Sequence, residues 1–125
     1  MKILLFIPFL FMCCMVIGQS SKQIIGTPYR LSNIKVAQYD FPEKMSWYDA
    51  EKACADLGDG WRLPTKYELD FMYDNRRKIG GFGDYLYWSS TEKDASDAWR
   101  QNFINGAQFY SDKDDFYVVR AVQSF

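Results

Sequence analysis

The first residues decide how much of this chain is left to fold. Lys2 is followed by the unbroken apolar run Ile3 to Ile17, and then by Gly18, Gln19, Ser20 and Ser21. A charged, then apolar, then small and polar succession is the pattern of a removable secretory signal peptide. The apolar run is about 15 residues, where a helix needs roughly 20 to cross a bilayer, and no later stretch is long or apolar enough to compensate. Val16 and Gly18 supply small residues at the two positions that matter before a cut, so cleavage is expected between Gly18 and Gln19. The alternatives are an uncleaved anchor, or lipid modification at Cys13 or Cys14. Lipidation needs a small residue just before the cysteine, and Met12 and Cys13 stand there instead.

Residues 1–18 are therefore read as the signal, 19–28 as a short polar tether that ends at Pro28, and 29–125 as a single domain. About 107 residues remain after cleavage, enough for one hydrophobic core and not for two. Taking Lys2 from the 15 basic residues leaves a mature charge of about −2 against 16 acidic ones. With no basic excess, nothing calls for a nucleic-acid partner. Cys54 would be alone in the mature chain, so an oxidising, extracytoplasmic compartment offers this domain no internal disulfide. It falls on the apolar face of a predicted helix and reads as a small buried hydrophobe rather than a reactive thiol.

Ile34, Val36 and Gln38 alternate with Lys35, Ala37 and Tyr39, which suits a strand ending before Pro42. Ser46 precedes Trp47, Ala50, Cys54 and Leu57 at three- and four-residue spacing, and Gly58-Asp59-Gly60 follows: a helix with a cap and a stop. Pro64 makes Leu63 extended, and Thr65 with Glu68 three residues later forms a capping box for a second helix. Its expected buried face is Leu69, Met72 and Tyr73, with the solvated run Arg76-Arg77-Lys78 at its C-terminal end, where cations complement the helix dipole. Gly80-Gly81-Phe82-Gly83 lacks the strand before and helix after of a nucleotide-binding loop, and reads as a turn. Strands are expected over Tyr87 to Ser90, Ala98 to Ile104 and Ala107 to Tyr110, the last two joined by a tight hairpin at Asn105-Gly106. Phe116 to Val122 is expected as a central strand. A strand, two helices and several antiparallel strands make an α+β domain.

Met45 to Ala50, Cys54, Gly60-Trp61-Arg62-Leu63-Pro64-Thr65, Glu68-Leu69, Ile79 to Phe82, Tyr87 to Glu92, Ala98-Trp99 and Val118 to Val122 form one ordered pattern. It resembles the Lcl C-terminal domain family, over roughly Ile34 to Phe125. The resemblance implies a C-type-lectin-like fold, with two helices packed on antiparallel β-sheets and the chain ends close together. The adhesin that lends the family its name binds sulfated polysaccharide, a precedent rather than a rule. In the shared motifs, Trp61 and Leu63 are expected to bury on one side of an extended segment beside Arg62. Pro64 sets the exit, and Thr65 and Glu68 cap the helix. Trp88 with Ser89 and Ser90 fits a core strand whose hydroxyls satisfy backbone groups, and Arg120 inside an apolar run reads as a partnered structural cation.

The chain contains no histidine, which removes Ser-His and Cys-His nucleophilic pairs and every histidine metal site. The formylglycine-generating enzymes that share the implied fold use a pair of cysteines, which one mature cysteine cannot replace. Acidic loops at Asp94, Asp97, Asp112, Asp114 and Asp115 could in principle supply a glycosidase pair, but solvated acidic loops are the ordinary case. Sugar-binding C-type lectins hold calcium with a Glu-Pro-Asn or Gln-Pro-Asp loop and a Trp-Asn-Asp strand, and neither occurs here. Asp112-Lys113-Asp114-Asp115 lacks the glycine and distal glutamate of an EF-hand loop. No enzyme, cofactor or metal is expected. The leading expectation is an exported binding or adhesion module for a glycan or surface polymer, with Asn102, Tyr110, Asp112, Asp114 and Asp115 as ligand contacts. The alternative is a structural or assembly component that meets another envelope protein.

Overall fold

The computed structural model describes Ser21 and residues 23–125. The expected cleavage site and the cysteines Cys13 and Cys14 lie outside the described residues. Two caps start the main helices. Ser46 Oγ accepts the Asp49 N–H at 3.2 Å and opens α1, Trp47–Asp56, which buries Trp47, Ala50 and Cys54 on one face. Thr65 opens α2, Lys66–Asp74, with both hydrogen bonds of the capping box made: Thr65 Oγ1 accepts from the Glu68 N–H, and Glu68 Oε1 accepts from the Thr65 N–H. Its apolar face buries Leu69 and Met72, while Tyr73 is half-buried.

Two three-stranded antiparallel sheets frame the helices. The first contains β1 (Tyr29–Leu31), β2 (Ile34–Val36) and β6 (Val122–Ser124), ordered β1-β2-β6 with Val36 opposite Val122. Both ends of the folded unit are therefore in one sheet, and the Phe125 N–H reaches the Asn33 carbonyl at 3.3 Å. The second contains β3 (Leu86–Glu92), β4 (Asp97–Asn102) and β5 (Gln108–Asp112) in that order. The β3 to β4 register breaks between Trp88 and Glu92, and there the Ser90 N–H turns aside to the Pro64 carbonyl at 2.7 Å.

Strand alternation places β3 between two apolar clusters. Trp88 enters the one formed with Trp47, Cys54, Trp61, Leu63 and Val119. Tyr87 enters the other, formed with Ile34, Val36, Leu69, Met72, Phe103 and Val118. Each large side chain so buried contributes about 1.5–3 kcal/mol.

Several local expectations give way to tertiary contacts. Arg76-Arg77-Lys78 do not end α2. They form a separate short helix, α3 (Arg76–Ile79), because Asn75 leaves helical geometry at φ −106° and its side-chain amide donates to the Phe71 carbonyl. The hairpin is not closed by two residues. Phe103 leaves β4 to be 3% exposed in the second cluster, which widens the turn to residues 103–107 and puts Gly106 at φ 81°.

The segment from Phe116 is central but is not one strand. Tyr117 bridges to Met45 and Val118 to Tyr87. Val119 then receives the Phe41 N–H and Ala121 the Ala37 N–H before β6 begins. Residues buried on both sides while the chain passes from one sheet to the other exchange partners too often to keep a regular ladder. Within the stretch expected as a tether, Ile24 is buried and the Ile25 carbonyl accepts the Gln38 N–H at 2.9 Å, so this end of it is held to the domain.

Candidate functional site

The outer hairpin carries a ledge of aromatic rings and lysines. In the β4 to β5 register Trp99 faces Tyr110 and Gln101 faces Gln108, so these four share the face on which α2 sits. Trp99 and Tyr110 meet edge to face with centroids 5.5 Å apart, and Phe109 stacks on Tyr110 at 4.5 Å. Lys66, the first residue of α2, places its ammonium 3.5 Å from the Trp99 centroid, and Lys93 lies 4.7 Å from that of Tyr110. A cation over an aromatic face is worth about 0.5–1 kcal/mol at exposed sites. The rings are held from behind: Gln101 donates to Asp70 and to the Gly106 carbonyl, and Gln108 donates to the Lys66 carbonyl. Phe109 is 53% exposed and Tyr67, next to Lys66, 77%.

The five residues expected to touch a ligand do not form one site. Tyr110 is on the ledge. Asn102 lies an odd number of residues from Trp99 and falls on the opposite face of β4, where its Oδ1 accepts the Ile104 N–H at 2.8 Å. Asp112 shapes its own turn, Oδ1 accepting the Asp114 N–H at 2.8 Å. Asp114 and Asp115 are exposed, and Asp115 receives the Tyr117 hydroxyl at 3.4 Å. Among the described residues, no three His, Cys, Asp or Glu side chains gather as a metal site. Trp99, Lys66, Lys93 and Phe109 were not among the expected contacts. The signal for Trp99 was its place on a strand opposite Tyr110, which is readable only once the width of the hairpin is known.

The shared motifs build the support beneath the ledge. Trp61, Leu63 and Pro64 are buried, and Arg62 between them grips Glu68 with two bonds of 2.7 and 2.9 Å and Ser124 with a third. The Trp88 indole N–H donates to the Met45 carbonyl at 2.8 Å. Ser89 Oγ donates to the Trp99 carbonyl and accepts the Thr91 N–H, which ties β3 to the ledge strand. Arg120 is buried, with Nε 2.7 Å from Asp40 Oδ1, and Asp40 also accepts the Tyr87 hydroxyl at 2.6 Å.

Burial pushes the Glu68 carboxyl up, but Arg62 and Thr65 outweigh it and hold it below its ordinary value of 4.5. A carboxylate so depressed adds stability that is complete above 4.5 and is lost as pH falls through its lower folded value. Glu68→Gln is therefore expected to cost about 1 kcal/mol at neutral pH. In urea unfolding across acidic pH that deficit should shrink toward zero, and a deficit independent of pH would sink the ion pair as its source.

Desolvation raises the buried Cys54 thiol to about 12, so it is not poised as a thiolate. An apolar cleft of about 360 Å³ lies away from the ledge, lined by Ile24, Phe41, Pro42, Ala53 and Leu57. Its carboxylate, Asp56, is paired with Lys52 at 2.8 Å. No helix among the described residues is long and apolar enough to cross a membrane.

The backbone has well-matched relatives among solved structures. Botrocetin superposes with a TM-score of 0.58 at 16% identity, over 80% of this chain and 98% of botrocetin. EMS16, an antagonist of the collagen receptor integrin α2β1, gives 0.60 at 10%, over 80% and 98%. The snake venom toxin convulxin gives 0.62 at 11%, over 80% and 96%. At such identities the likeness establishes the fold, α+β and C-type-lectin-like, and nothing more. No curated protein sequence matches the chain significantly. The model of the Lcl C-terminal domain, however, matches residues 25–123, nearly the whole folded unit, and the chain therefore belongs to the Lcl C-terminal domain family.

Proposed function

We propose that this protein is an exported, non-catalytic binding module that holds a protein partner of the cell envelope or exterior against its aromatic ledge. The observation that supports it is the cluster of Trp99, Tyr110 and Phe109 with Lys66 and Lys93 on the outer hairpin. Aromatic side chains are enriched at protein contact surfaces and carry much of their binding energy. The Gln101 and Gln108 amides, which would read sugar hydroxyls on this face, are spent on neighbouring groups, and Asn102 lies on the opposite face of β4. Botrocetin occurs in a complex with the von Willebrand factor A1 domain, a precedent for protein recognition on this fold. The glycan reading survives as a second one, favoured by the planar ring faces of Phe109 and Tyr110.

Binding of the labelled mature domain to isolated bacterial envelopes tests both. Trp99→Ala and Phe109→Ala, each checked for folding by circular dichroism, are expected to weaken binding about tenfold or more. Asn102→Ala and Asp114→Ala should leave it unchanged. Sensitivity of the envelopes to protease supports a protein partner, and sensitivity to periodate a glycan. Full binding by both ledge variants removes the ledge from consideration.

A further inference from the structure

The outer strand β5 pairs on one side only, with β4. The hydrogen bonds at either end of that pairing give its phase: Asn102 N–H to Ala107 O at 2.9 Å and Lys113 N–H to Ser96 O at 2.8 Å. In an antiparallel ladder the bonded positions alternate. Residues 107, 109, 111 and 113 therefore face β4, and the main-chain groups of Gln108, Tyr110 and Asp112 face outward. Of these, the Asp112 carbonyl is taken by the Asp115 N–H at 2.9 Å. The Gln108 and Tyr110 N–H and C=O groups and the Asp112 N–H have no partner outside the ladder among the described residues. An edge of this kind is a template for another strand.

We infer that the occupant of this edge is a second copy of the chain, its β5 antiparallel to the first about a two-fold axis at Tyr110. In that register Tyr110 exchanges both bonds with its counterpart, and Gln108 of each copy meets Asp112 of the other: the Asp112 N–H donates to the Gln108 carbonyl, while the Gln108 N–H shares the Asp112 carbonyl with Asp115. The charges fit the same arrangement. The strand's far end is acidic, with Asp112, Asp114 and Asp115, while its near end lies against the start of α2, where the Lys66 carbonyl receives the Gln108 amide and the Lys66 ammonium sits over the neighbouring Trp99 ring. Antiparallel pairing lays each acidic end beside the partner copy's lysine, whereas parallel pairing would stack two acidic ends. Because paired residues share a face, the two ledges become one continuous surface, which gives a binding module two contacts at once. The pairing itself does not rest on the ligand reading and is measured without any ligand.

Sedimentation velocity of the mature chain over a range of concentrations is expected to reveal a monomer in equilibrium with a dimer. Asp112→Lys should weaken dimerisation about tenfold, and adding Lys66→Glu should restore it. Under mild oxidation Tyr110→Cys should cross-link, since facing residues of such a pair have Cα atoms about 5.5 Å apart, within disulfide reach. Asp112→Cys, four residues out of register with itself, should not. A chain that is monomeric at every concentration, or cross-linking that is equal in the two cysteine variants, overturns the inference.

Discussion

Replacing Arg120 with methionine is expected to cost about 3–5 kcal/mol of folding stability, because it leaves a carboxylate in a largely buried site without its counter-charge. The Arg120 side chain is fully buried and that of Asp40 is 17% exposed. The guanidinium also donates to the Ala37 carbonyl at 3.1 Å and the Gly80 carbonyl at 3.2 Å, and lies 4.0 Å from the centre of the Phe82 ring. One cation thus joins the first sheet's exit, the glycine turn and the apolar interior. The turn is built around it. Gly81 has φ +80°, and a Cβ there would sit 3.0 Å from Arg120 Nη2.

For a domain of this size a loss of that order lowers the melting temperature by roughly 15 °C or more. The deficit should depend on pH. Burial already raises the Asp40 carboxyl above its ordinary value of 3.8, against the opposing pull of Arg120. Without Arg120 it rises further, so the variant loses least at acidic pH, where Asp40 is protonated, and more as pH climbs through its folded value. Asp40→Asn combined with Arg120→Met should recover a large part of the loss, because no charge is then stranded. Urea unfolding of the single and double variants decides it. A single-variant loss below about 1 kcal/mol would mean that the pair is not a structural cation and its counter-ion.

Trp88→Ala is expected to be similarly damaging, about 3–5 kcal/mol. The side chain is fully buried among Trp47, Cys54, Trp61, Leu63 and Val119, and its ring meets Tyr117 edge-on at 4.7 Å. Removing it opens a cavity at the junction of α1 and β3 with the crossing segment, which these neighbours cannot all close. It also strands the Met45 carbonyl, which now accepts the indole N–H. Trp88→Phe keeps most of the apolar volume and loses the hydrogen bond, so its cost should be about 1–3 kcal/mol. If the phenylalanine variant were as unstable as the alanine one, the hydrogen bond rather than the packing would be the main contribution.

Much of the framework was legible because its causes are local. Ser46 and Thr65 cap helices whose acceptors and donors lie within four residues, and the spacing of Trp47, Ala50 and Cys54 describes one helical face wherever the helix finally docks. The Arg62 to Glu68 contact joins the motif's two halves over six residues. Arg120 could be read as a buried cation needing a partner, since an unpaired charge does not persist among valines. Its partner could not be read, because Asp40 is 80 residues away and only closure of the first sheet brings it there.

The candidate site was legible only in its location on the outer hairpin. A tight Asn105-Gly106 turn would set Trp99 opposite Asp112. The observed pairing, two residues further along, sets it opposite Tyr110. What shifts the register is the burial of Phe103 against Tyr73, Phe82 and Tyr87, a contact of the whole fold that outweighs the turn preference of two residues. The separation of Asn102 from Tyr110 onto opposite faces, by contrast, already follows from strand alternation.

Sequence alone was therefore enough for the two capped helices, the absence of histidine chemistry and the family. Each depends on composition or on residues a few positions apart. The hairpin register, the exchange of partners from Tyr117 to Ala121, the mate of Arg120 and the ledge of Lys66, Lys93, Trp99 and Tyr110 were decided by tertiary structure. They bring together groups up to 84 residues apart, as where the Ala37 N–H meets the Ala121 carbonyl, and the free energy that selects them appears only when both apolar clusters close around β3 at once.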